Sequence, residues 1–226
     1  MTERHALLLG ATGLIGRHVL GLLLSDPLWA RVTVLARKSP PISSPKLDWR
    51  VVRFDDESSW LSHTAVDTVL NCMGTTIKQA GSREAFRNAD LEVPLAVIRA
   101  ARARGATHAA AISALGADER SSVFYSRVKG ELETKLSELG LVSLHLLRPS
   151  LLVGRRESPR AGERIAEVGL GLLKPLLVGR LRPYRAIAAA DVAVAMVKLS
   201  VAPTSGVRII LSDEIAEVAQ RSSEAV

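Results

Sequence analysis

The chain has 226 residues, 47% of them apolar, a formal net charge of +7 at pH 7 and one cysteine. It can bury a full core but is too short for a dinucleotide-binding domain plus a large second domain, so one domain over residues 1–226 is expected, with a small substrate-side region at about 150–190. The lone Cys72 excludes an internal disulfide and a CxxC metal site, and its apolar setting reads as a core thiol in a reducing cytoplasm.

No apolar run approaches the roughly 20 residues of a membrane-spanning helix, and Leu170 to Val178 is broken by Lys174-Pro175. The short apolar N-terminus runs directly into a glycine loop, so no targeting segment is read. The positive charge invites a nucleic-acid partner. Yet the basic residues are scattered among Glu and Ala, without aromatic interleaving or a zinc pattern, so no specific nucleic-acid binding is expected. The densest basic group, from Arg155 to Arg185, is opposed by Glu157, Glu163 and Glu167 and reads as a solvated face, with an anion site as the alternative.

In chain order, Ala6 to Leu9 reads as a strand, Gly10-Ala11-Thr12-Gly13-Leu14-Ile15-Gly16 as a turn and Leu14 to Leu24 as a helix. Unpaired N–H groups and the positive end of a helix dipole at such a turn suit a phosphate. Gly10 permits the tight turn, Gly13 lets the backbone approach a pyrophosphate and Gly16 lets the helix pack on the strand, which predicts a dinucleotide site. The spacing is GxxGxxG, so a glycine turn without a ligand is the alternative.

Val32 to Leu35 is the second strand and ends at Ala36-Arg37-Lys38. An Asp or Glu there favours NAD; Arg37 and Lys38 instead suit a 2′-phosphate and predict NADP(H), surface cations being the alternative. Pro40, Pro41 and Pro45 mark a loop. After the third strand, Trp49 to Phe54, Asp55 either accepts a hydrogen bond from the adenine amino group or caps a helix. Thr68 to Cys72 is a further strand, Arg83 to Arg104 a long helix bent near Pro94, and His108 to Ile112 a strand ending beside Ser113.

The helix Ser122 to Leu139 puts Tyr125 and Lys129, four residues apart, on one face, where an ammonium favours the ionised phenol. Ser113, 12 positions before Tyr125, lies over the cofactor crevice and orients a carbonyl oxygen. An ordinary amphipathic helix and a turn-forming Ser are the alternatives. Leu144 to Leu147 is a strand, Asp191 to Leu199 a helix, Val207 to Leu211 an edge strand, and Ser212 a cap for the last helix. The alternation predicts a doubly wound α/β parallel sheet, a Rossmann fold with a small C-terminal substrate-side appendage.

The stretches GATGLIGRHVL, VTVLARK, NCMGTTIKQAG, AISALGADERSSVFYSRVKGELE, LLRPSLLVGRRESPRAGE and AAADVAVAM resemble the short-chain dehydrogenase/reductases, in the extended and atypical branch and nearest the Tat-interacting-protein oxidoreductase type. The resemblance implies NADPH bound by Thr12, Gly13, Leu14 and Ile15, by Arg37 and Lys38, by the Met73-Gly74 turn and by Tyr125, Lys129, Leu152 and Arg160. Two departures stand out: Ala114 follows Ser113 where a second Ser is common, and Asp90 lies near the place of the proton-relay Asn, with Asn88 two residues earlier. The expected activity is hydride transfer from NADPH to a carbonyl substrate, with Tyr125 as general acid, Lys129 lowering its pKa and holding the nicotinamide ribose, Ser113 orienting the oxygen, and no metal. A regulatory protein that senses NADPH without turnover is the alternative.

Overall fold

The structure is a computed structural model and describes residues 4–154 and 179–221. Seven parallel strands form one sheet in the order β3-β2-β1-β4-β5-β6-β9. They are β1 (Arg4–Leu9), β2 (Trp29–Ala36), β3 (Leu47–Val51), β4 (Thr68–Asn71), β5 (His108–Ile112), β6 (Ser143–Arg148) and β9 (Gly206–Leu211). The short β7 (Leu152–Val153) and β8 (Ile187–Ala188) pair separately. The helices are α1 (Gly16–Ser25), α2 (Ile77–Ala80), α3 (Arg83–Arg87), α4 (Val93–Ala103), α5 (Phe124–Ser137), α6 (Ala189–Val201) and α7 (Ser212–Gln220).

Helices cover both faces, so the central strands are apolar without alternation. In β1, Ala6 and Leu8 pack against Val19, Leu20 and Leu23 of α1 and against α6, while Leu7 and Leu9 join a second core with α4 and α5. Each such fully buried Leu stabilises the fold by roughly 1.5–3 kcal/mol. The order reverses at β1, which lies between β2 and β4, and this opens a crevice beyond the carboxyl ends of β1 and β4.

Most predicted elements occur where the pattern put them, and the departures have local causes. The third strand is Leu47–Val51 rather than Trp49 to Phe54, because its ladder ends at the Ala36↔Val51 pair where β2 stops. The long helix is not simply bent at Pro94. It is interrupted by a π-helical turn, Asn88–Glu92, and Pro94 sits in the first turn of α4, where a missing N–H costs little. Ser212 does not cap the last helix. It is the first residue of α7, and its buried hydroxyl lies 3.0 Å from the Ser150 hydroxyl, tying α7 to the segment after β6. The edge strand is confirmed: among the described residues β9 pairs only with β6, and Val207 and Ile209 are partly exposed.

His145, in β6, is buried, with Nε2 3.0 Å from the Thr204 hydroxyl oxygen. Burial, then the charges of Arg208 and His108, lower its pKa from 6.5 to about 4. Between those values the folded state binds fewer protons than the unfolded chain, so stability is full above about pH 6.5 and is lost as pH falls. Lowering pH from 7.5 to 5 is expected to cost about 2 kcal/mol at this residue. Burial lowers His5 and His108 as well and acts in the same direction. Urea unfolding at the two pH values checks this: His145→Gln, which can keep a hydrogen bond to Thr204, should flatten the dependence, and an unchanged slope would refute the assignment.

Candidate functional site

The floor of the crevice is the turn between β1 and α1. Gly10 has a φ of +74°, and a Cβ on it would lie 2.6 Å from the Cys72 carbonyl carbon and oxygen. A Cβ on Gly16 would lie 2.0 Å from the Gly10 carbonyl oxygen, and one on Gly13 3.2 Å from the same atom. Glycine is therefore a packing requirement here. Gly13 donates its N–H to Gly10 at 2.9 Å, while the N–H groups of Thr12, Leu14 and Ile15 have no acceptor among the described residues. Helix α1 has no side-chain cap and no acidic residue in its first turn. An anion fits this end of the helix on both counts.

Above the turn is a cavity of about 780 Å³. Thr12, Gly13, Leu14, Ile15, Met73, Gly74, Ser113, Tyr125, Lys129 and Leu152 all line it. Gly10 and Gly16 lie behind this lining and shape it. Arg37 and Lys38 are exposed just beyond β2, outside the lining residues, with the Lys38 carbonyl accepting from the Trp49 indole at 2.8 Å. Asp55 is exposed and pairs with Arg53 at 3.5 Å. The capping role considered for Asp55 belongs to Asp56, whose carboxylate accepts the Ser58 N–H at 3.2 Å. Arg160 and most of the expected substrate-side region lie outside the described residues.

The structure adds Arg17, Thr75, Thr76, Gln79, Ser150 and Tyr184 to the cavity wall. One signal for this wall was present in the sequence. Thr76-Ile77-Lys78-Gln79 has the spacing of a capping box, and the Thr76 hydroxyl caps α2 by accepting the Gln79 N–H at 3.3 Å.

Helix α5 carries Tyr125 and Lys129 to the cavity. Gly130 permits this placement, because a Cβ there would lie 2.1 Å from the backbone nitrogen of Glu119. The Tyr125 ring packs on Phe86 with centroids 5.6 Å apart, and Phe86 packs on Phe124 at 5.9 Å. Ser113 follows β5, its N–H donates to the Leu147 carbonyl at 2.7 Å, and its buried hydroxyl has no partner among the described residues. Lys129 Nζ lies 2.7 Å from Asp90 Oδ1, and both side chains are buried. Cys72 packs at the edge of the core rather than inside it: it is partly buried and lines the cavity, its sulfur sits 3.5 Å from that of Met196, and burial pushes its thiol pKa well up.

The doubly wound sheet with a glycine turn at its switch point is the fold of the extended short-chain dehydrogenase/reductases. Residues 6–210 match the model of the NAD dependent epimerase/dehydratase family, and the chain belongs to that family. Among its relatives is the mitochondrial protein fmp52 of Emericella nidulans, 34% identical over 173 residues, covering 74% of this chain and 74% of the relative. The FMP52 protein of Candida albicans is 32% identical over 194 residues, covering 83% and 85%.

Solved structures show the same fold. The UDP-glucose 4-epimerase of Thermotoga maritima superposes with a TM-score of 0.69 at 16% identity, covering 96% of this chain and 81% of that one. Bordetella bronchiseptica WbmH, solved with NAD+, gives 0.69 at 16% identity, covering 93% and 76%. The relatives' mitochondrial naming overturns the expectation of a cytoplasmic protein. A cysteine count separates oxidising from reducing compartments and does not distinguish between reducing ones.

Because Gly16 is wedged against the Gly10 backbone, Gly16→Ala is expected to weaken binding of NAD(H) or NADP(H) at least about tenfold, a loss of roughly 1.4 kcal/mol. Gly21→Ala is the control, since a Cβ there meets nothing within 4 Å. Nucleotide fluorescence titration checks the pair, and equal affinities for the two variants would refute the wedge.

Proposed function

We propose that this protein is an NADPH-dependent oxidoreductase acting on the carbonyl of a small molecule. The observation that carries the reading is that the Ser113 hydroxyl, which has no partner among the described residues, shares one cavity with Tyr125, Lys129 and the glycine turn. The residues fit the cofactor. N–H groups of Thr12, Leu14 and Ile15 meet the pyrophosphate, Arg37 and Lys38 the 2′-phosphate, and Asp55 the adenine. Met73, Gly74 and Leu152 lie along the wall toward the reacting end, and Arg160 is assigned to the cofactor by family resemblance.

When bound, NADPH supplies the hydride. Ser113 donates a hydrogen bond to the substrate oxygen, and Tyr125 donates the proton that oxygen takes up as the carbonyl carbon is reduced. The ammonium of Lys129 then stabilises the phenolate, which regains its proton from water entering the cavity. The partner is a small molecule, with neither a specific nucleic-acid site nor a membrane insertion in this reading.

The selectivity test is nucleotide titration. NADPH should bind at least about tenfold more tightly than NADH, and Arg37→Asp should narrow or reverse the gap. Equal wild-type affinities would refute the assignment of the two cations.

The activity test is stopped-flow NADPH oxidation with a panel of aldehydes and ketones. Tyr125→Phe should lower turnover about a hundredfold or more while NADPH affinity changes little. Unchanged turnover would remove Tyr125 from the chemistry. A wild type inactive across the panel would transfer the reading to an NADPH-sensing binding protein.

A further inference from the structure

The turn Asn88–Glu92 is π-helical, and the wider turn places Asp90 in the interior at 1% exposure. Two elements meet its carboxylate. The Thr75 backbone N–H, from the loop after β4, donates to Oδ2 at 2.9 Å, and Lys129 Nζ of α5 lies 2.7 Å from Oδ1. The second contact is ionic rather than a well-aligned hydrogen bond, since Oδ1 has no aligned donor. Lys129 is itself only 2% exposed. A buried cation of this kind is costly alone and tolerable beside a carboxylate.

We infer that Asp90 is a positioning residue that makes Lys129 half of a neutral pair, so that Tyr125 faces a dipole rather than a bare cation and the site is set to give a proton to a carbonyl rather than to take one from an alcohol. This rests on the proposed role of Tyr125 as proton donor. Tyr125 and Lys129 are one helical turn apart and both line the cavity, and at that spacing a bare ammonium favours the ionised form of a phenol. A carboxylate 2.7 Å from that ammonium weakens the pull.

The other charges nearby are balanced or constant. Arg87 is engaged by Glu131 at 2.6 Å and Glu92 at 3.2 Å, and Glu133 by Arg148 at 2.5 Å. Arg83 and Arg127 lie over the Phe124 ring at 5.2 and 5.7 Å. Lys78 on α2, Glu84 on α3, Asp118 and Glu119 before α5 and the cavity-lining Arg17 are common to every variant below and drop out of the comparison.

The chain has two tyrosines, so Tyr184→Phe leaves Tyr125 as the one phenol whose ionisation changes the near-ultraviolet absorbance. In that parent, without cofactor or substrate, Asp90→Asn should move the absorbance transition to lower pH by about half a unit or more, and Lys129→Met should move it up. The double variant Asp90→Asn/Lys129→Met leaves no buried unpaired charge and should return the midpoint to within about half a unit of the parent.

A double variant raised beyond that limit would show that the Asp90 charge does not reach the phenol and would overturn the inference. If either single variant fails to fold by circular dichroism, the double variant against the parent carries the test alone. The alkaline limb of carbonyl reduction supplies a second readout. It should move to lower pH in Asp90→Asn, whereas a limb fixed in pH with reduced amplitude would leave Asp90 a merely structural role. Since the titration uses neither NADPH nor substrate, a failure of turnover and a failure of the charge pairing are separately visible.

Discussion

The backbone contact between Gly10 and Gly16 is the constraint on which the crevice depends. A single methyl group on Gly16 would lie 2.0 Å from the Gly10 carbonyl oxygen, and one on Gly10 would run into the end of β4 at Cys72. With no side chain at either position, α1 begins directly over the junction of β1 and β4. The N–H groups of its turn then stay open where the strand order reverses. The dipole belongs to the helix itself, and the close approach of the first helix to the first strand decides where its positive end lies.

Around that opening the buried polar groups are arranged by the same economy. Asn71 ends β4 and turns its side-chain oxygen to the Met73 N–H at 3.1 Å, so the chain folds back at once toward Gly74 and Thr75. The Thr75 N–H is taken by Asp90, and Asp90 takes Lys129. One chain of contacts thus joins the loop after β4, the π-helical turn and α5, three elements distant in sequence. Among the described residues, the buried side-chain atoms without a hydrogen-bond partner include the Ser113 hydroxyl at the cavity wall, the Asn71 nitrogen behind it and, away from the crevice, the Trp29 and Trp60 indole nitrogens and the Ser143 hydroxyl. Orphans of this kind are costly in a packed core, and at the wall of a cavity an incoming polar ligand can satisfy them.

What could be read from residue order follows the range of the interactions concerned. Strands such as His108–Ile112 and the glycine turn are written in local pattern, because burial on both faces demands continuous apolar residues and the turn demands glycine. Tyr125 and Lys129 were legible because one turn of helix brings them together. The pairing of Lys129 with Asp90 was not, since it depends on a π-helical turn 39 residues earlier, and hydrophobic periodicity does not separate a π turn from an α turn. The same limit hid the role of Ser212. A Ser before an apolar helix signals a cap, but its hydroxyl is drawn to Ser150, a residue 62 positions away in sequence.

The two sets of cations near the site work under different physics. Arg37 and Lys38 are exposed at the end of β2, where salt screens them within about 8 Å at physiological ionic strength. A phosphate must come into direct contact with such cations to be recognised. Lys129 is buried, its charge is hardly screened, and it would act on any phenol or ribose nearby whether or not a ligand were bound. A buried charge with such reach needs a counter-charge that is part of the fold, and an exposed one does not. Asp90 meets that need from a turn already anchored to the loop after β4 through Thr75, so one carboxylate joins the buried cation to a loop that lines the crevice.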